Sequence, residues 1–177
     1  ISLFGAAAGT LEKQTRSLNS DIKATMASLP KTILLKSVNH DGNITIGGQS
    51  PDEKEVLAYV KNLGESKVFA DVIVTGITRN TDGTVDFELV GNHAGAGNGI
   101  TSFELMVTKL PQDVKMLTLI YSNGSTTITA NASSRDGVLS YIRQLEESGR
   151  FRDIVVDSMK RLDSGQFGFS LILGAGG

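Results

Sequence analysis

Residues 56–74 read VLAYVKNLGESKVFADVIV, and residues 138–156 read VLSYIRQLEESGRFRDIVV. The two stretches align without a gap at an offset of 82 positions, and most of their differences preserve size or charge. A repeat this long indicates a duplicated domain rather than a solenoid, whose repeats are shorter. Further pairs extend the match: Leu29-Pro30 with Leu110-Pro111 at an offset of 81, then Arg79/Arg161, Gly83/Gly165, Phe87/Phe169 and Leu89/Leu171 at 82.

Each copy predicts the same order of elements. In the first copy, apolar and polar residues alternate on both sides of the turn sequence 40–43, which indicates a β-hairpin. Ser50-Pro51-Asp52-Glu53 has the pattern of a capping box with proline at the first helical position, so a helix is expected to start there. A second hairpin is predicted around the turn sequence 80–83. The apolar stripe of the predicted helix contains Val56, Leu57, Val60 and Leu63.

A helical pattern also precedes each copy. Residues 11–29 carry apolar groups at near-heptad spacing, which favours a coiled-coil stalk. Before the second copy, residues 101–104 form another possible capping box for a helix that would end at Leu110. Phe103, Leu105 and Val107 also alternate as in a strand, so a strand remains the alternative at that point.

These patterns predict an α+β fold with two tandem, circularly permuted ferredoxin-like modules of order αββαββ. Each module would contain a four-stranded antiparallel sheet with its helices on one face. The expected division is a stalk helix over 1–28, module 1 over 29–91, a glycine-rich linker over 92–100 and module 2 over 101–177. The linker composition favours flexibility, so the modules would rotate freely unless they share an interface.

Composition excludes several classes of function. The chain has 177 residues, 40% hydrophobic content and a net charge of −2. Nucleic acid is therefore a poor partner, because there is no basic excess to neutralise phosphates. The sequence contains no cysteine, which excludes disulfides, thiolate metal sites and thiol nucleophiles. The apolar residues 1–10 are about half of a membrane span, and they indicate the end of a membrane helix, the start of a helix or a disordered end.

No motif in the sequence indicates a catalytic, cofactor or metal site. His40 falls in a predicted turn and His93 in the linker, and neither has the spacing of a metal motif. The glycines of 95–99 lack the spacing of a phosphate-binding loop. Only two carboxylates recur at the same place in both copies, and capping and turn hydrogen bonds explain them better than a catalytic dyad does. These recurring pairs are Glu65/Glu147 and Asp71/Asp153.

The chain resembles the PilN fimbrial assembly family. The resemblance lies in Leu29-Pro30, in the helix end at 60–66, in Phe69-Ala70-Asp71-Val72 and in the strand 85–89. The second copy fits as well, through its residues 141–148 and 151–154. The family motif marks core and turn positions, so it implies a fold and an assembly role rather than a reaction.

The resemblance implies a non-catalytic scaffold of the inner-membrane platform of a type IV pilus, or of a related type II secretion machine. It implies a periplasmic location for these modules, with membrane attachment through a helix upstream of Ile1. Implied partners are a PilO-like homologue, further copies of the chain, and a PilM-like cytoplasmic protein bound through an upstream tail. The stalk seam expected to bind partners consists of Leu11, Leu18, Ile22 and Leu29.

Two other classes of function remain as alternatives. A ferredoxin-like sheet with aromatic residues such as Phe167 and Phe169 is a platform on which RNA bases can stack, although no RNP1 signature is present. A small acylphosphatase-like hydrolase is the enzymatic alternative, although no arginine-bearing glycine loop is found.

Overall fold

The structure, a computed structural model, describes residues 16 and 18–175 as two successive αββαββ modules. The first module contains α1 (18–27), β1 (Leu34–Asp41), β2 (Asn43–Ser50), α2 (Glu53–Glu65), β3 (Asp71–Arg79) and β4 (Val85–Asn92). The second contains α3 (Asn98–Thr108), β5 (Val114–Ser122), β6 (Ser125–Ala132), α4 (Arg135–Glu147), β7 (Phe151–Arg161) and β8 (Phe167–Ala175). The predicted α+β fold with two ferredoxin-like modules is confirmed.

All eight strands form one antiparallel sheet, in the order β1-β2-β4-β3-β5-β6-β8-β7. The two modules meet where β3 pairs with β5 over three residue pairs, centred on Ile77 opposite Leu119. The sequence predicts a flexible linker and leaves a shared interface between the modules open, but it does not predict that their strands pair in one continuous sheet. Within residues 18–175, the edge strands of the sheet are β1 at one end and β7 at the other.

The hairpins form where backbone geometry requires glycine or asparagine. Asn123 and Gly124 connect β5 to β6 with φ angles of 51° and 79°. Two successive residues with positive φ define the tight turn whose twist matches that of paired strands, and Asn-Gly is its preferred sequence. Asn123 is therefore a turn residue.

A tyrosine from the second helix is buried in the core of each module. Tyr59 and Tyr141 are fully buried, and 82 positions separate them. The hydroxyl of Tyr59 donates to the Thr25 carbonyl at 3.0 Å, and that of Tyr141 donates to the Met106 carbonyl at 2.7 Å. Burial raises the pKa of both phenols, so both remain hydrogen-bond donors at neutral pH. Each tyrosine thus fixes the leading helix of its own module to the second helix.

The starts of two helices differ from the capping boxes expected from sequence. Helix α2 begins at Glu53, with Asp52 as N-cap accepting the Glu55 N–H at 2.9 Å, whereas the predicted cap is Ser50. The Ser50 hydroxyl instead donates to the Asp52 carbonyl at 2.8 Å. The proline therefore lies in the turn before the helix.

Helix α3 is a helix and not the alternative strand, but it begins at Asn98 instead of at the predicted capping box of residues 101–104. Its N-cap, Gly97, has no side chain to accept a hydrogen bond. The Asp71 carboxylate of β3 replaces it, accepting the N–H groups of Gly99 at 3.1 Å and Ile100 at 3.3 Å. Part of the 92–100 segment is thus helical and bonded to module 1.

Within the described part of the chain, no helix has the length and apolarity needed to cross a bilayer.

Candidate functional site: the two ends of the sheet

The contact between the modules, here called the junction, is sealed by apolar side chains on the helical face of the sheet. Ile77 of β3 and Leu119 of β5 are opposite each other, and each is 1% exposed. Helix α3 lies over β3 and beside α2, where Lys61 and Glu104 form an ion pair at 3.0 Å. The leading helix of module 2 therefore packs on a strand and a helix of module 1.

The repeat gives every junction residue a counterpart at a free end of the sheet. The offset is 82 for the second helix and third strand of each module, and 81 for the leading helix and first strand. The tyrosine hydrogen bonds support this alignment. Tyr59 donates to the Thr25 carbonyl in module 1, and Tyr141 donates to the Met106 carbonyl at the corresponding positions of module 2. Register shifts recur as well, between Val74 and Gly76 in β3 and between Val156 and Ser158 in β7.

Apolar residues that are buried at the junction are exposed at their counterpart positions. We call the exposed set on α1 and β1 the head end, and the set on α4 and β7 the tail end. The head end contains Ile22 (41% exposed), Met26 (57%) and Val38 (43%), the counterparts of the buried Phe103, Val107 and Leu119. The tail end contains Leu139 (46%), Val156 (46%) and Met159 (39%), the counterparts of the buried Leu57, Val74 and Ile77.

Charged residues are less well repeated than apolar ones. Lys61 and Glu104 pair across the junction, but their counterparts are Arg143 and Lys23, two positive charges. The head and tail ends would therefore repel each other weakly at this position.

The four residues of the predicted stalk seam do not share one environment. Leu11 lies outside the described residues. Leu18 is half-buried and Ile22 is exposed, one helical turn apart on α1. Leu29 packs against the core. Met26 continues the exposed stripe one turn beyond Ile22, although the seam as predicted does not include it.

The recurring carboxylates do not converge. Glu65 and Glu147 are exposed at the ends of their helices. Asp71 caps α3, whereas Asp153 is exposed on β7. Asp71 thus has the capping hydrogen bonds expected from sequence, whereas no capping or turn hydrogen bond of Glu65, Glu147 or Asp153 is found among the described residues.

The two aromatic residues considered for RNA stacking pack toward the core. Phe169 is 2% exposed, and Phe167 is partly buried against the core. Phe169 is therefore not available to stack on a base, and Phe167 is only partly exposed.

Both histidines lie close to one carboxylate, that of Asp21. No sequence motif predicts this cluster. The Nε2 atoms of His40 and His93 lie 3.0 Å and 2.9 Å from Oδ2 of Asp21. Asp21 is fully buried on the inner side of α1, and its Oδ1 has no hydrogen-bond partner among the described residues. The three residues come from α1, β1 and the segment after β4, so only the folded chain brings them together.

These features define the class of protein: a tandem ferredoxin-like α+β chain whose exposed apolar residues collect largely at the two ends of one sheet. The profile of the fimbrial assembly protein (PilN) family matches residues 24–92 and 101–173. The chain therefore belongs to the PilN family, which acts in type IV pilus assembly and is associated with the inner-membrane platform of the pilus. The predicted family is confirmed. No curated protein and no solved structure gives a significant match.

Proposed function

We propose that this chain is a non-catalytic scaffold of the pilus assembly platform, and that copies of it associate through the tail end of one and the head end of the next. The observation that carries the proposal is the set of six apolar residues that are exposed at the ends and buried at their repeat positions in the junction. Because the junction is a contact between two homologous modules, it serves as a template for a contact between copies.

The template specifies the geometry of the contact. The Ile77–Leu119 pair of the junction corresponds to Met159 of one copy opposite Val38 of a second copy. Strand β7 of the first copy would pair with the edge strand β1 of the second. Open edges have unpaired N–H and C=O groups that favour such pairing. Helix α1 of the second copy would lie over β7 as α3 lies over β3. Ile22 and Met26 would then become buried.

The expected affinity is low in dilute solution. Covering six roughly half-exposed apolar side chains stabilises the contact by about 1 kcal/mol each. Association itself costs on the order of 4–15 kcal/mol, and the Arg143–Lys23 repulsion costs a few tenths more. The contact therefore requires a high local concentration, which attachment to a common membrane would supply.

The proposal also covers location and partners. A periplasmic position beside the inner membrane would place many copies in one plane. A PilO-like homologue with the same fold would present the same kind of sheet edge, so it is a competing occupant of either end. The stripe of Leu18, Ile22 and Met26 on α1 would take part in both kinds of contact.

Sedimentation equilibrium at high chain concentration tests self-association. Met159→Asp should abolish it, because a charge would replace the central apolar residue of the tail end. Val155→Asp is the matched control: it lies on the same strand, but the alternation of side chains directs it to the other face of the sheet. Lys23→Glu should strengthen association two- to five-fold, because it restores the ion pair of the junction.

Mixing variants tests the head-to-tail arrangement. Met159→Asp keeps an intact head end, and Val38→Asp keeps an intact tail end. An equimolar mixture should form dimers but nothing larger, whereas the wild type should form longer assemblies. The proposal is wrong if the wild type stays monomeric at the highest concentration, or if Met159→Asp and Val155→Asp weaken association equally. Complexes that form only with a PilO-like protein would favour the competing occupant.

A further inference from the structure

In the cluster of Asp21, His40 and His93, the hydrogen bonds of His93 leave its second ring nitrogen with a lone pair facing the Asp21 carboxylate. A bound cation between these two groups would remove the repulsion. Nδ1 of His93 lies 3.2 Å from the Val68 carbonyl oxygen. A carbonyl oxygen can only accept, so Nδ1 carries the proton of the ring. In the neutral ring Nε2 then has a lone pair, and it faces the Asp21 carboxylate at 2.9 Å. Two lone pairs at this distance require a positive charge between them, either a proton or a metal ion.

We propose that Asp21, His40 and His93 form a binding site for a divalent transition metal ion of the zinc class. The three ligand atoms lie within 4.8 Å of one another. A tetrahedral zinc ion with bonds of about 2.0–2.1 Å separates its ligand atoms by about 3.3 Å, so the two distances between Nε2 and Oδ2 of Asp21, now 3.0 Å and 2.9 Å, would lengthen by only about 0.3–0.4 Å around the ion. Among the described residues, Oδ1 of the fully buried Asp21 carboxylate has no hydrogen-bond partner, and it offers a second point of attachment.

The surroundings of the ligands match those of known metal sites. Metal-binding histidines usually donate their second ring N–H to a carbonyl or carboxylate, which fixes the ring orientation, as His93 does with Val68. Two imidazoles and one carboxylate suit zinc and related ions, whereas calcium and magnesium prefer oxygen ligands alone. The side chains of His40 and His93 are 16% and 37% exposed, so an ion can enter and a water molecule can complete the coordination.

The site would stabilise one arrangement of the first module. Its ligands join α1 to the end of β1 and to the segment between the modules. Metal binding would hold α1 in place and with it the exposed stripe of Ile22 and Met26. The second module has no equivalent cluster, because Ser102, Tyr121 and Ala175 occupy the counterpart positions.

Zinc and cobalt titrations of the chain, prepared without a histidine tag and stripped with a chelator, test the site. The chain has only two histidines and no cysteine, so the background of other soft ligands is low. We expect one zinc ion per chain by native mass spectrometry and calorimetry, and an intense visible spectrum for tetrahedral cobalt. His93→Gln and His40→Gln should each weaken zinc binding about 100-fold or more. Asp41→Asn, a neighbouring carboxylate outside the cluster, is the matched control and should bind as the wild type does.

Nitrogen-15 spectra of the histidine rings distinguish a metal ion from a proton. With zinc present, Nε2 of His93 should carry no hydrogen while Nδ1 keeps its own. The proposal is overturned if both ring nitrogens of His93 carry hydrogen at neutral pH and zinc leaves the spectrum unchanged. It is also overturned if the glutamine variants, shown by their amide spectra to be folded, bind zinc as tightly as the wild type. Because these measurements use isolated chains at low concentration, their outcome is independent of self-association.

Discussion

Replacement of Arg79 by methionine should lower the free energy of unfolding by about 3–5 kcal/mol. The Arg79 side chain is 9% exposed and forms an ion pair with Glu53, which is 11% exposed. Its Nε donates to the Met116 carbonyl at 2.7 Å, and its Nη1 donates to the Gly83 carbonyl at 3.0 Å. Removing one partner of a buried pair leaves an uncompensated charge, which costs roughly 3–5 kcal/mol. Methionine retains much of the apolar packing, so the loss reports mainly on the polar contacts.

The repeat supplies a matched control for this substitution. Arg161 is the counterpart of Arg79 but is exposed on the edge strand β7, and the counterpart of Glu53 is Arg135. Arg161→Met should therefore change stability by no more than about 0.5 kcal/mol. Urea unfolding followed by circular dichroism measures both variants.

A double variant separates the charge from the packing. Combining Arg79→Met with Glu53→Leu should destabilise less than Arg79→Met alone, because no buried charge is then left without a partner. The reasoning fails if Arg79→Met and Arg161→Met differ by less than about 1 kcal/mol. It also fails if the double variant loses the full sum of the two single effects.

Two further predictions concern contacts within the modules. Tyr141→Phe should destabilise by about 1–2 kcal/mol in urea unfolding, because the buried Met106 carbonyl loses its donor; a change below about 0.3 kcal/mol would contradict this. Asp71→Ala should cost about 0.5–2 kcal/mol and accelerate hydrogen exchange at the Gly99 amide, because it removes the cap of α3. Asp153→Ala, at the exposed counterpart, should have no measurable effect, and equal losses in the two variants would refute the capping role.

The elements of each module were predictable because their signals are local. The stripe of Val56, Val60 and Leu63 and the turn at Asn123-Gly124 lie within a few residues of the structure they determine. The start of α3 was not predictable in the same way. Its cap is Asp71, which is 28 residues before Gly99 in sequence, and no local pattern indicates it.

The junction and the histidine cluster depend on tertiary structure. Ile77 and Met159 are both apolar residues on a strand, and only the neighbouring strand determines that one is buried and the other exposed. Likewise, His40, His93 and Asp21 come from three separate segments. Sequence spacing indicates a metal site only when the ligands share one element or one short motif.

The permanent contact at the junction and the reversible contact that we propose between copies differ in their charged residues. The apolar positions of the junction are apolar at the free ends too, whereas the Lys61–Glu104 ion pair across the junction and the Arg79–Glu53 ion pair within module 1 are not repeated. The counterparts of Glu53 and Glu104 are Arg135 and Lys23. Inside the chain, covalent connection keeps the modules at high effective concentration, and the Lys61–Glu104 ion pair adds stability to a contact that never needs to dissociate. In the proposed contact between copies, positive charges would oppose the apolar attraction and limit assembly to conditions of high local concentration. The proposed contact would then form and dissociate while a pilus platform is built, and higher salt should strengthen it by screening the repulsion between Lys23 and Arg143.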